Sequence, residues 1–590
     1  MSSRIREDIA MATSPPSTSA QPIDALIVGA GFAGMYMLHK LRGLGFNPQV
    51  VEAGSGVGGT WYWNRYPGAR VDIQSLEYSF GFDEELEKDW RWSERYAPQP
   101  ELLKYAEHVA ERFDLKRDIR FNTRVTAAHW DDAAQVWNVQ TDDGAAMRCR
   151  HLILATGCLS IPTDVTFPGL DTYKGAVYRT SRWPHEGVDF SGQRVGIIGT
   201  GSSAIQSIPI IAQQAEHLTV FQRTPNYSMP AHNGPIPEAD FEAWSKDPRA
   251  YRAASRDTVG GFQNEASDAM ATETAPEEIR AELERRWAWG GFRILGAFAD
   301  TAVDPEANRI VQEFIAEKIR QQVADPAVAE KLTPKDHPFG TKRPCVDTGY
   351  YATFNRPNVE LVDLRAEPLA GFTAEGIQTS AKDYAFDAVV LATGFDAMTG
   401  AIDRIDLVGR DGRRIRDHWA EGPRTYLGLL VAGFPNLFTI TGPGSPSVLT
   451  NMINSIEQHV EWIADCLVAL KQRQQTSIEA SPEAEAAWCR HSTEAVTPTM
   501  LPQANSWYMG ANVPGKPRMF MPYAGGLNTY TEICRQVAAK GYEGFIIRQG
   551  DRVLSESREF TSLPAPGEIP EKLLPIIMER LMAAGLLPAE

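Results

Sequence analysis

The sequence predicts an α/β protein: two nested Rossmann-like domains with an all-helical insertion. Three observations carry this. Two glycine loops each follow a short apolar run, at Gly29 and at Gly199. A strand-like run ending in Ala-Thr-Gly occurs twice, at 150–157 and 386–394. Between them, residues 231–335 turn charged and rich in Ala and Glu.

The 590 residues are 43% apolar and 9% aromatic, enough for several cores. The formal charge of −17 argues against nucleic acid or an anionic membrane as partner. Six scattered cysteines form no Cys-x-x-Cys pair, so neither a zinc site nor a dithiol centre is encoded. Scattered thiols without such spacing suit a reducing cytoplasm. Residues 1–22 are polar and Ser/Pro-rich and read as a disordered tail. The longest apolar run, Leu427 to Phe438, is broken by Gly428, Gly433 and Pro435, and is too short to span a bilayer.

The first unit begins with Asp24 to Val28, which feeds directly into Gly29-Ala-Gly31-Phe-Ala-Gly34. A helix-compatible stretch, Met35 to Leu44, follows. Strand, G-x-G-x-x-G and helix in that order identify a dinucleotide turn. The glycines let a pyrophosphate approach, and the helix N-terminus offers free N–H groups. A second strand ends at Glu52, 18 residues after Gly34. A carboxylate there accepts from a ribose diol and repels a 2′-phosphate. The ligand is therefore FAD or NAD. Next comes Gly58-Gly-Thr60-Trp61-Tyr-Trp-Asn-Arg-Tyr66-Pro-Gly-Ala-Arg-Val-Asp72. Its aromatics suit either a core or the wall of a flat ring system.

The second unit runs from Gln193 through Ile198 into Gly199-Thr-Gly201-Ser202-Ser203-Ala204. Its second strand, His217 to Phe221, ends in Gln222-Arg223-Thr224 rather than an acid. Arg223 lies 24 residues after Gly199, and Glu52 lies 23 after Gly29. A guanidinium at the position of a carboxylate suits a phosphate. The expectation is FAD at the first loop and NADP at the second. Thr60, Trp61, Ser202, Ser203 and Thr224 join the glycines, Glu52, Asp72 and Arg223 as cofactor-binding candidates.

The insertion carries helix starts at Thr274-Ala-Pro276, Asp304-Pro305 and Asp325-Pro326. Gly340-Thr-Lys342-Arg343-Pro344 then returns the chain to the second unit. By themselves these two cations read as a solvated pair. The expected boundaries are 23–162 and 392–550 for the FAD unit, and 163–230 and 336–391 for the NADP unit. Residues 231–335 form the insertion and 551–590 a C-terminal extension with an amphipathic helix at Glu571–Leu587.

FAD and NADPH in one chain imply hydride transfer to the flavin. Without paired cysteines, a disulfide reductase is excluded. An oxygenase would need a dry flavin and a cation for a developing oxyanion, and Arg343 with Asp72 could supply the cation.

The motif order resembles the type I Baeyer–Villiger monooxygenases over roughly 20–547. It rests on both glycine loops, GTWYWNRYPGARVD, the stretch YKGAVYRTSRWP (173–184), FGTKRP with YYATFNRPNV, and SWYMGANVPGKPR. The resemblance implies oxygen insertion beside a ketone carbonyl through a C4a-peroxyflavin, giving an ester or lactone. It implies Arg343 as the catalytic cation and Asp72 as its positioner. It places Lys342 on NADPH, Trp507 against the cofactor ribose, and Ser447, Val448 and Leu449 against the substrate. No metal ligands are expected. The 173–184 stretch reads as the connector between the two units; in it Tyr173 stands for the family's Phe and Arg179 for its His. An arginine has donors only, so Arg179 cannot relay protons. Two other readings stay open: a flavin monooxygenase acting on nitrogen or sulfur, and an uncoupled NADPH oxidase or redox-sensing flavoprotein.

Overall fold

The protein is described by a computed structural model covering residues 22–563 and 573–587. The expected tail therefore lies outside the described residues, apart from Pro22.

Strand β1 (Ile23–Val28) sits inside an eight-stranded sheet. Leu26 and Ile27 are wholly buried, so its apolar run is continuous rather than alternating, as in a strand covered on both faces. Helix α1 (Phe32–Gly43) leads to β2 (Pro48–Val51), which pairs in parallel with β1. On the other side β1 pairs with Ala146–Leu154. Two late strands, Asp406–Val408 and Leu437–Thr439, rejoin this sheet in parallel. The chain thus leaves the sheet after Leu154 and returns some 250 residues later.

The excursion builds the second sheet from β3 (Ala176–Arg179), β4 (Arg194–Ile198), β5 (His217–Gln222), β6 (Val359–Asp363) and β7 (Ala388–Leu391). The order is β6-β5-β4-β7-β3, all parallel. Helix α2 (Ser202–Gln214) joins β4 to β5. Ligands bind such sheets at the carboxyl ends of the strands, where both glycine loops lie.

Among the described residues, 231–335 hold helices and no named strand. Asp304 and Asp325 cap their helices by accepting from Glu306 N and Ala327 N. The segment is anchored on the first unit. Arg252, buried, pairs with Glu87 and donates to the carbonyls of Ser79 and Phe80. Arg256 reaches Glu457 of the long helix Met452–Gln472.

Two expectations need correcting. The stretch 173–184 reads as the connector between the units, yet residues 176–179 are the edge strand β3 of the second sheet. The crossing is made by the two Ala-Thr-Gly turns lying side by side: Thr163 N donates to Gly394 O, Asp396 N to Ile161 O and Met398 N to Cys158 O. The signal misled because short parallel edge strands carry little periodicity. The expected extension also begins inside a hairpin. Arg552–Glu556 pairs with Phe545–Gln549, which pairs with Ser477–Ala480, and Gly550 makes the turn at φ +57. The last helix runs Leu574–Ala583, with residues 571 and 572 outside the described set, and buries none of its residues.

Around β3 the stretch is tightly fitted. A Cβ on Gly175 would lie 2.1 Å from the Tyr173 hydroxyl, which donates to Phe386 O. Trp183 is buried against Tyr178 and Phe190. Arg179 ends β3 opposite Leu391, just before the second Ala-Thr-Gly turn. Arg179→His is expected to leave product identity unchanged and to alter turnover rate or the ratio of product to NADPH consumed. Product mass spectra with parallel NADPH assays check this; a changed reaction type would contradict it.

Candidate active site

The first glycine loop is shaped by contact. Gly29 has φ +107, and a Cβ there would lie 2.6 Å from Ala155 O. One on Gly34 would lie 1.8 Å from Gly29 O. Gly31 faces Gly59, where an added Cβ would meet the Gly31 Cα at 2.8 Å. This cradle of bare backbone fits a pyrophosphate. Helix α1 opens at Gly31 with no side-chain cap and no acid in its first turn, so its N–H groups stay available. Glu52 is buried and accepts from Ala30 N and Gly54 N, both at 2.7 Å. An ionised carboxylate has about four acceptor positions, so two stay open for a ribose diol. The residues present fit an adenine dinucleotide without a 2′-phosphate. Thr60 opens a short helix, Thr60–Trp63, at the same mouth.

The second loop repeats the plan. Gly199 has φ +119, and a Cβ there would meet Ala392 O at 2.5 Å. Gly201 opens α2 without a side-chain cap. Ser202 Oγ lies 3.3 Å from Cys345 Sγ, and Ser203 Oγ lies 3.2 Å from Thr180 Oγ1. Arg223 is exposed at the end of β5, and Thr224 O accepts from Thr200 Oγ1. Lys342 is half-buried nearby. Burial lowers its pKa and Asp336 opposes that, while Arg223 and Arg365 add to the lowering.

Between the loops lies a cation site. The stretch 58–72 crosses onto the second unit: Gly68, at φ +77, would put a Cβ 2.2 Å from Gln206 O of α2. Tyr66 donates to Gln206 Oε1 at 2.9 Å, and Gln206 Nε2 donates to Arg70 O. This docking carries Asp72 to Arg343. Arg343 Nε donates to Asp72 Oδ2 at 2.9 Å, and its Nη1 donates to Val448 O at 2.8 Å. The Phe292 ring, from the insertion, lies 4.9 Å from the guanidinium carbon. Burial opposes the charge on Arg343, but Asp72 and Tyr508 outweigh it, and the guanidinium is held above its ordinary range. Its side chain keeps 23% exposure, so it still faces open space.

Trp61 is buried and donates from Nε1 to the Tyr78 hydroxyl at 3.3 Å. Burial pushes the Tyr78 phenol up to about 12, so it stays protonated beside Asp72 and Arg343. Ser447 is wholly buried and Val448 nearly so. Val448 belongs to a satellite cluster with Cys158, Met398, Tyr508 and Met521, Leu449 packs against it, and Ser447 Oγ lies 4.0 Å from Cys158 Sγ. Trp507 packs on Tyr508, ring centroids 4.3 Å apart. The loop bearing both is pinned by Lys516 Nζ to Asp396 Oδ1 and Ala397 O, each at 2.7 Å.

Sequence reasoning thus named both members of the Arg343–Asp72 pair but missed Phe292, Tyr508 and Arg365. Tyr508 was reachable as the neighbour of Trp507. Phe292 and Arg365 carry no local signal.

A family model described as pyridine nucleotide-disulphide oxidoreductase matches residues 26–275. All six cysteines are free, so that description extends to the nucleotide fold and not to a disulfide centre. Among solved structures, an oxidized steroid monooxygenase bound to NADP is 51% identical, with a TM-score of 0.87 over 90% of this chain and 100% of its own. A protein named OTEMO, in complex with FAD and NADP, is 40% identical, with a TM-score of 0.86 over 90% of this chain and 100% of its own. A Baeyer–Villiger monooxygenase of Pseudooceanicola batsensis is 42% identical over 538 residues, 90% of this chain and 98% of the relative. With two glycine-loop sheets, a guanidinium–carboxylate pair between them and this likeness along nearly its whole length, the chain belongs to the Baeyer–Villiger monooxygenase family.

Proposed function

We propose that this protein inserts one oxygen atom of O2 beside a ketone carbonyl to give an ester or lactone, with FAD at the first glycine loop and NADPH at the second. The observation that carries this reading is the Arg343–Asp72 pair at the meeting of the two units. FAD, once reduced by NADPH, supplies the oxygen-activating chemistry. The protein's own part is to bind, orient and stabilise charge. Arg343 offers fixed N–H donors to the negative charge that develops on the ketone oxygen during addition. Asp72 holds the Nε edge and Val448 O one Nη edge, so the guanidinium pays little reorganisation at the moment of reaction. Phe292 and the Val448–Tyr508 cluster keep the approach apolar, which strengthens each charge interaction there.

Gly29, Gly31, Gly34, Glu52, Thr60 and Trp61 form the FAD side of this proposal. Gly199, Gly201, Ser202, Ser203, Arg223, Thr224, Lys342 and Trp507 form the NADPH side. Ser447, Val448 and Leu449 line the ketone. Among the described residues no helix is long and apolar enough to cross a membrane, and free thiols support a cytoplasmic setting.

The test is product analysis. The yellow holoprotein is given NADPH, air and a panel of linear, cyclic, aryl and steroid ketones plus a sulfide. Ester or lactone by mass spectrometry is expected. Sulfoxide alone, or hydrogen peroxide alone, overturns the reading.

A further inference from the structure

Three cations and two carboxylates, Asp336 and Asp363, gather at the outer end of the second glycine-loop site. Arg223 follows β5 and Arg365 follows β6. These strands are parallel neighbours with Gln222 opposite Asp363, so both arginines leave the sheet at its carboxyl edge, one residue apart in register. Lys342 arrives from the turn before Cys345, close enough that Arg223 and Arg365 both depress its pKa. Asp336, just past the helical insertion, is the counter-charge of Arg365 and Lys342. It accepts from Arg365 Nη2, and its other oxygen lies 2.7 Å from Nδ1 of His337, which is buried. Arg365 Nη2 also lies 3.4 Å from Thr224 Oγ1. The described side-chain hydrogen bonds of Arg365 use only Nη2, and half of its side chain is exposed.

A surface ion pair between Arg365 and Asp336 would by itself contribute almost nothing. It does not account for the crowding of like charges. Three cations beside the carboxylates of Asp336 and Asp363, the latter accepting from Arg365 N, still leave a positive excess, and a phosphate monoester brings about −1.5 to −2 charges at pH 7. An arginine fork suits phosphate oxygens better than a point charge does. Arg365 Nη2 is shared between Asp336 and Thr224, the residue after Arg223, and Lys342 feels the charge of both arginines.

We propose that Arg365 is a third cation for the adenosine 2′-phosphate of NADPH and helps to select NADPH over NADH. The proposal rests on the assignment of NADPH to this site. Arg365 is held in place by Asp336, which keeps the guanidinium at the sheet edge rather than free in solvent.

The test measures binding of adenosine 2′,5′-bisphosphate and of 5′-AMP to the FAD-loaded protein by calorimetry, beside apparent Kd values for NADPH and NADH from flavin-reduction rates. Arg365→Gln is expected to weaken the bisphosphate and NADPH by about five- to tenfold while 5′-AMP and NADH hold. Arg365→Lys should recover part of the loss, since charge returns without the fork. Unchanged bisphosphate binding in Arg365→Gln, or equal loss for both ligands, would overturn the role of Arg365. A wild-type protein that binds both ligands equally would instead remove NADPH from this site.

Discussion

Arg343→Ala is expected to abolish ester formation while NADPH still reduces the flavin. Removing one positioned donor to a developing oxyanion costs about 10²–10³ in rate, and Arg343 also carries a formal charge. Its partners lie on different segments: Asp72 in the first unit, Val448 in the 442–449 loop, Phe292 in the insertion and Tyr508 in the loop at 505–518. The truncation leaves Asp72 without its cation and Val448 O without its donor. A lowered melting temperature would reveal damage to the fold, so Arg343→Lys is the companion variant. It keeps the charge and loses the fork, and it should retain the melting temperature of the wild type with strongly reduced ester yield. Stopped-flow absorbance separates the half-reactions. Bleaching of the flavin by NADPH should stay close to the wild-type rate, and electrons should then leave as hydrogen peroxide. Undiminished ester in Arg343→Ala would remove this residue from the mechanism.

Arg223→Ala should weaken NADPH much more than NADH. A charge-assisted hydrogen bond to phosphate is worth ~1.5–3 kcal/mol. Arg223 is exposed, so solvent screening favours the lower end, a loss of about tenfold. The measurement is the concentration dependence of flavin reduction with each nucleotide. Salt gives an independent check, because raising ionic strength should erode the preference of the wild type for NADPH and leave that of the variant nearly flat. Equal loss for both nucleotides would mean that Arg223 does not read the phosphate.

Much of the fold is legible in the sequence because backbone sterics write it there. Gly29 and Gly34 sit where a Cβ would strike a carbonyl oxygen, so glycine spacing reports the turn directly. The carboxylate of Glu52 and the guanidinium of Arg223 lie at equivalent strand ends, where chemistry can be read from residue type. The stretch 173–184 was less legible. Four residues of an edge strand have no periodicity to distinguish them from a connector, and the actual crossing is made by backbone hydrogen bonds that any residue can form. The candidate site is read in part. Arg343 and Asp72 stand 271 residues apart, and the docking of Gly68 and Tyr66 on α2 helps to bring them together. Phe292 reaches the guanidinium from an insertion whose composition advertises helices and nothing else. Arg365 depends on sheet order, because β6 lies beside β5 although 136 residues of chain separate Gln222 from Val359.

The central claim is that the two nucleotide sites deliver electrons and oxygen to a ketone held at Arg343. It is tested most directly by one turnover under ¹⁸O2. The NADPH-reduced protein is mixed with labelled oxygen and a cyclic ketone, and the product is weighed by mass spectrometry. A lactone carrying a single ¹⁸O atom, with NADPH consumed in equal amount, is the result predicted. Recovered ketone with labelled hydrogen peroxide, or a lactone without label, would contradict it.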